Sequence, residues 1–317
     1  TKLWDQVDKI VESNFAKLVA NSLGIKNYVA EFDNTEILKS LNFIEKKMDE
    51  PLSDPSILPT YLLSKFAKQN VKVVLSGDGA DELFCGYAPF RVMTSLNLLS
   101  YIPKNIGYLL TSLMEKLPSQ DNYMSYHFLL KHVSRGFGHP PNQQVFRWMS
   151  PFSHNNIHQL LQKDFIQEYL QTNSWKTIIT KDNNTEIINE LSKIFIQHYL
   201  PNDILTKVDR ASMYNGLEVR SPFLSKDIID FSLKLPNKYK INKGRTKYLL
   251  RILSEKKLPA IISRRKKHGF AIPLAKMIRG SLKEKIEDTL LSSNNTLDEI
   301  FNRKNVEKTL KAHWEGI

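Results

Sequence analysis

The segment Val73-Val74-Leu75-Ser76-Gly77-Asp78-Gly79-Ala80-Asp81-Glu82-Leu83-Phe84 constrains the fold more than any other part of the chain. Its short β-branched start predicts a buried strand, its two glycines permit a tight backbone turn, and an acidic helix start follows. Strands separated by helices imply a parallel sheet with crossover connections, and such sheets place ligands at the carboxyl ends of their strands. Gly77 and Gly79 would let a nucleotide approach the main chain closely. Asp78, Asp81 and Glu82 put three acids within five residues, which repels a bare phosphate. Two readings follow. Either a Mg²⁺ bridges carboxylate and phosphate oxygens here, or the segment is a glycine turn whose acids favour a helix N-terminus through its dipole.

Around this unit, residues 1–90 read as α/β and 91–317 as mainly helical. Val11, Phe15, Leu18, Val19 and Leu23 follow helical spacing, with Gly24 where a C-cap belongs. Residues 27–32 predict a strand, Ile37, Leu38, Leu41 and Ile44 a second helix, and Ser56 to Phe66 a third with Pro59 in its first turn. Further helices are predicted over 124–135, 156–170, 184–199, 203–215, 225–233, 245–255 and 283–292. The expected architecture is a small α/β part with a large helical elaboration packed onto it.

Composition narrows the function. With 41% hydrophobic and 25% charged residues the chain is not broadly disordered. One cysteine, Cys85, excludes an intramolecular disulfide framework and fits a reducing, cytoplasmic compartment. No uncharged apolar run approaches the roughly 18 residues that span a bilayer. The net charge of +12 is compatible with nucleic acid, but no helix-turn-helix, zinc-finger or RNA-recognition signature accompanies it. We expect neither a nucleic-acid nor a membrane partner; an attraction for anionic nucleotides is as economical.

Two more segments are dense in charge. Leu205-Thr206-Lys207-Val208-Asp209-Arg210-Ala211-Ser212-Met213 leads into Leu217-Glu218-Val219-Arg220-Ser221-Pro222-Phe223-Leu224. Its charges need partners if buried, and a scaffold of ion pairs is the plainer reading beside direct catalysis. Ser263-Arg264-Arg265-Lys266-Lys267-His268-Gly269-Phe270-Ala271-Ile272-Pro273 begins as a solvated charge run or localisation signal would. Its Gly-Phe-Ala-Ile-Pro continuation suggests a loop turned back on the core, where a lysine could neutralise developing phosphate charge.

Together with Asp49-Glu50-Pro51-Leu52-Ser53-Asp54-Pro55-Ser56, these segments resemble, in order, the synthetase half of glutamine-hydrolysing asparagine synthetases. The resemblance implies a parallel sheet of the adenine-nucleotide alpha-hydrolase type (PP-loop ATP pyrophosphatases). It implies that ATP activates a carboxylate, normally that of aspartate, as an acyl-adenylate with release of pyrophosphate. Ammonia delivered from glutamine by a separate amidase domain then attacks the acyl carbon. By matching positions, Ser76 and Gly77 contact the nucleotide, and Asp78 stands where the family has an acid needed to form and use the adenylate. Asp81 ligates Mg²⁺ on pyrophosphate, and Lys267 stabilises charge on the reacting phosphoryl and acyl centres.

Departures from the family pattern qualify this expectation. The Ser-Gly-Gly-x-Asp-Ser-Ser pyrophosphate loop and the amidase domain with its N-terminal cysteine are absent, and Cys85 stands where the family usually has Gly. The C-terminal segment Lys311 to Ile317 resembles a point at which family members continue. The chain therefore reads as a fragment that is inactive alone. Rival readings are the same chemistry on a sugar acid or other carboxylate, and a non-catalytic relative that kept the nucleotide-binding scaffold.

Overall fold

Val73-Val74-Leu75 is a strand, β1 (Val73–Leu75), in the computed structural model, which describes residues 9–95, 102–115, 126–171, 186–264, 274–292 and 296–316. Its partner is β2 (Glu218–Arg220), parallel to it in the register Val73↔Glu218, Val74↔Val219 and Leu75↔Arg220. Among the described residues these two strands form the sheet, and helices make up most of the rest. The chain divides into two compact units, Thr1–Arg91 with Ser192–Leu274, and Val92–Leu191 with Ala275–Ile317.

In the first unit, helix Lys9–Leu23 ends at Gly24, whose φ of +66° is the left-handed conformation that glycine adopts at no steric cost. Helix Asn34–Lys47 starts at Asp33, whose side chain accepts the Glu36 amide at 2.7 Å. Helix Ile57–Lys68 carries Pro59 in its first turn, where no intrahelical N–H is missed. Two expectations fail here. Residues 27–32 form no strand: Tyr28 and Val29 are 67% and 64% exposed, and no ladder engages them. β1 itself is not buried, because Val73 and Leu75 are 40% and 73% exposed. Strand propensity reports fit to a pleated surface, and cover depends on neighbours far away in the chain.

Helix Ile187–Ile194 runs into a π-helical stretch, Phe195–Leu205, and then into helix Thr206–Met213. Pro201 lies inside the wide turn; it donates no N–H, and its carbonyl accepts the Thr206 hydroxyl at 2.8 Å. The stretch carries an aromatic knot. Phe195, 1% exposed, stacks on Tyr87 with centroids 4.9 Å apart and lies 5.1 Å from Phe90 and 5.7 Å from Tyr199.

Helix Thr206–Met213 grips the acidic segment before helix Ile57–Lys68. Lys207 Nζ meets Asp54 Oδ2 at 2.8 Å, while Arg210 reaches Asp49 and Glu50, each at 3.0 Å. Asp54 also accepts the Ser56 amide at 2.9 Å. The charges of the two segments are thus each other's partners, as an ion-pair scaffold requires. Burial pushes the Asp54 carboxyl up, but the Lys207 hydrogen bond and charge with the Ser56 bonds outweigh it and leave it below the ordinary value.

In the second unit, helix Lys104–Glu115 packs close to the turn after helix Tyr126–Ser134, because a Cβ at Gly107 would meet the Phe137 carbonyl oxygen at 2.8 Å. The Thr111 hydroxyl donates to the Ser134 carbonyl at 2.7 Å, and the Trp148 indole to that of Val133 at 3.1 Å. The helix expected over 156–170 is two, His154–Leu160 and Lys163–Gln171, broken where Leu161 bridges Phe301. No described helix is long and apolar enough to cross a membrane.

The β1–helix turn is sensitive to a single methyl group. Gly79 has φ +88°, and a Cβ there would lie 2.3 Å from Leu224 Cδ2. We expect Gly79→Ala to lower stability by more than about 2 kcal/mol in urea unfolding, from left-handed strain and overpacking together. Lys207→Met should cost about 3 kcal/mol, since it strands a mostly buried carboxylate. With its folded-state value depressed below 3.8, Asp54 contributes stability that is present above that pH and lost as pH falls through the folded value. Urea midpoints measured across the acid range should show this loss in the parent chain and not in the Lys207→Met variant.

Candidate functional site

The ladder hands over directly to the turn. The Ser76 amide donates to the Arg220 carbonyl at 2.8 Å, and the Ser76 and Ser221 hydroxyls lie 2.7 Å apart. Gly77 is exposed, and a Cβ there would meet nothing within 4 Å, so its backbone is open to a ligand. Gly79 then packs under Leu224 of the turn Pro222–Leu224, and Phe84 meets Phe223 edge-on at 6.1 Å. The β2 side thereby sets the height at which helix Ala80–Leu83 begins.

The three acids of this turn lie in three different surroundings. Asp78 is half-buried on the turn, with no ion pair to any described residue. Asp81 turns to Lys247, whose Nζ is 2.9 Å from its Oδ1, with the two side chains 24% and 27% exposed. Glu82, 1% exposed, points inward and accepts the Tyr87 hydroxyl at 2.5 Å. Burial pushes the Glu82 carboxyl above its ordinary value despite that bond. Burial and the charge of Glu82 push the Tyr87 phenol up as well. The dense acidic run is therefore no three-carboxylate cluster.

Cys85 stands where the family pattern has glycine, and the backbone shows why glycine suits that position. Cys85 has φ +57°, a left-handed position that suits the expected glycine, and its Sγ is 3.6 Å from the Ser192 hydroxyl. The thiol is fully buried, and burial pushes it up to about 11, so it is not poised as a nucleophile.

Among the described residues no group of three or more His, Cys, Asp or Glu side chains is placed to hold a metal ion. Asp81 supplies one carboxylate, and the Lys247 ammonium against its Oδ1 shows that this oxygen accommodates a cation. One carboxylate completed by phosphate oxygens and water suits Mg²⁺, which seldom has an all-protein cage. The donor set fits Mg²⁺ with a phosphate ligand.

Ser76, Gly77, Asp78 and Asp81 thus share one turn at the carboxyl end of β1. Lys267 lies outside the described residues, as does the rest of 265–273. Sequence reading missed Lys247, because a lysine after Gly244-Arg245-Thr246 has no distinguishing spacing. A charge count points to its surroundings: residues 234–264 hold ten Lys and Arg against one acid, Glu255. Most of the +12 excess therefore lies in this stretch of the first unit, not along the whole chain.

Comparison with known proteins places the chain in a family. The asparagine synthase family model matches residues 4–316. Glutamine-hydrolysing asparagine synthetase 1 of Bacillus subtilis is 32% identical over 282 residues, covering 89% of this chain and 43% of the relative. A putative glutamine-hydrolysing asparagine synthetase of Mycobacterium bovis is 30% identical over 285 residues, covering 89% and 42%. A Penicillium rubens protein named as an amidase is 24% identical over 279 residues, covering 79% and 40%. The chain spans less than half the length of these relatives, and the match is to the synthetase domain. A parallel strand that ends in an open glycine turn, with a lysine-paired carboxylate one helical turn on, lies within a family match that covers residues 4–316, and the chain belongs to the asparagine synthase family.

Proposed function

We propose that this chain carries the ATP-using, amide-forming site of an asparagine-synthetase-like amidotransferase. The observation that carries the reading is the β1 turn: exposed backbone at Gly77, Asp78 free of ion pairs among the described residues, and Asp81 paired with a cation. In this reading the two strands belong to a PP-loop-type parallel sheet. The parallel pairing of β1 with β2, across a long and mainly helical connection, supports that. The compartment is the cytoplasm, in keeping with a single free thiol.

Ser76 and the Gly77 backbone hold the adenine nucleotide. Asp81 would hold Mg²⁺, which when bound would supply positive charge against the phosphates. A carboxylate oxygen of the acceptor, aspartate in the first instance, attacks the α-phosphorus and expels pyrophosphate. Lys267 steadies the charge that builds on the phosphoryl and then the acyl centre. Ammonia, released from glutamine by an amidase domain, attacks the acyl carbon, and Asp78 accepts a proton from the attacking nitrogen. The bond to AMP breaks and the amide is left. Asp54, Lys207, Arg210 and Glu82 act through position, by holding the segments around the turn.

The test is aspartate-dependent exchange of pyrophosphate into ATP, in a polypeptide of the relatives' length that carries this chain. Exchange should require ATP, Mg²⁺ and a carboxylate acceptor. Lys267→Ala and Asp81→Asn should each lower it by about a hundredfold or more, and wild-type exchange in either variant would refute the assigned role. A panel of sugar acids and other carboxylates run beside aspartate decides the acceptor. Tight ATP binding without exchange for any acceptor would instead favour a non-catalytic, nucleotide-binding relative.

A further inference from the structure

Lys247 reaches Asp81 through a backbone arrangement that only a held residue adopts. Its φ and ψ of 51° and 38° are left-handed, a conformation costing about 1–2 kcal/mol for a side chain with a Cβ. The surroundings enforce it. The Lys247 amide donates to the Phe84 carbonyl at 3.1 Å, tying the start of helix Tyr248–Lys257 to the end of helix Ala80–Leu83. One residue earlier, the Thr246 carbonyl accepts Arg251 Nε at 2.9 Å, and Arg251 also donates to the Ser263 carbonyl. The path between the two side chains is kept clear as well. Gly86 donates its amide to the Asp81 carbonyl at 2.7 Å, and a Cβ there would lie 1.7 Å from Asp81 Oδ1 and 2.4 Å from Lys247 Cε.

The pair is closed but not sealed. Both side chains keep about a quarter of their surface in contact with solvent, so the ammonium can leave when something stronger competes for the carboxylate. We infer that Lys247 is a displaceable counter-ion that occupies Asp81 until a divalent cation takes the carboxylate, and that it couples cation binding to the arrival of an anionic ligand. A cation alone must strand a half-buried ammonium, which is costly. A cation arriving with a phosphate ligand gives that ammonium a new anion. The two ligands therefore bind cooperatively, and the coupling acts equally in both directions. The inference rests on the reading of Asp81 as a metal ligand.

The probe is Mn²⁺ alone, titrated into the full chain without nucleotide, with free ion read by electron paramagnetic resonance. Lys247→Met should tighten Mn²⁺ binding about five- to tenfold, the worth of one part-buried ion pair. Lys247→Gly removes the cation and relieves the left-handed strain, so it should fold well and tighten binding to the same extent. Lys247→Arg keeps the charge and should bind as weakly as wild type. Asp81→Asn should abolish binding in every background. If the Met and Gly variants bind no more tightly than wild type while Asp81→Asn still abolishes binding, the counter-ion role is overturned and Asp81 remains the metal ligand. If Asp81→Asn changes nothing, the metal-ligand reading falls and the counter-ion role falls with it.

Discussion

Three paired residues on each side join two parts of the chain that lie far apart in sequence, and the site depends on that ladder. β1 and β2 are parallel, so a long connection must intervene, and here it holds the whole of Val92–Leu191. The ladder continues past the last strand residue through the Ser76 amide and the pair of serine hydroxyls, across a separation of 145 residues. Gly79 against Leu224 and Phe84 against Phe223 extend the contact into the helix start. The position of Asp78 and Asp81 is thus set by residues 220–224 as much as by their own turn.

Electrostatics around the turn follow a division of labour. Glu82 is buried and kept by a phenol, Asp81 is half-screened and kept by an ammonium, and Asp78 has no ion pair with a described residue. Neighbours in sequence thereby acquire different properties from burial and partner alone, the route by which folds separate structural from chemical carboxylates. Behind them the Asp54–Lys207 pair and the Arg210 contacts hold helix Ile57–Lys68 to helix Thr206–Met213. Such pairs are costly to break and contribute specificity of position more than net stability.

Legibility in the sequence tracked the range of the forces involved. Helices at 34–47, 57–68, 206–213 and 226–234 were readable because a period near 3.6 is a short-range signal, joined at the first of them by the Asp33 cap. The long helix over 156–170 was misread because its break at Leu161 comes from pairing with Phe301, a residue far along the chain. The strand over 27–32 was misread for the converse reason: its propensity is real, yet no described partner takes its hydrogen bonds. The acidic 49–56 segment and the basic 207–210 segment were each visible as charge, but that they answer one another was not. Cys85 shows a local property hidden from composition, since its left-handed backbone explains the glycine that the family pattern implies.

Residues and their order determined by themselves the family, the strand–glycine turn–helix unit, and the clustering of Ser76, Gly77, Asp78 and Asp81, because those four sit within six consecutive positions. Only the tertiary structure decided which acid faces inward, that β1 leaves apolar side chains in solvent, and that Asp81 is closed by a lysine 166 positions away. Spacing encodes geometry while the chain is regular. Ion pairing and burial depend on distances through space, and a strained lysine in an ordinary-looking turn carries no period to read.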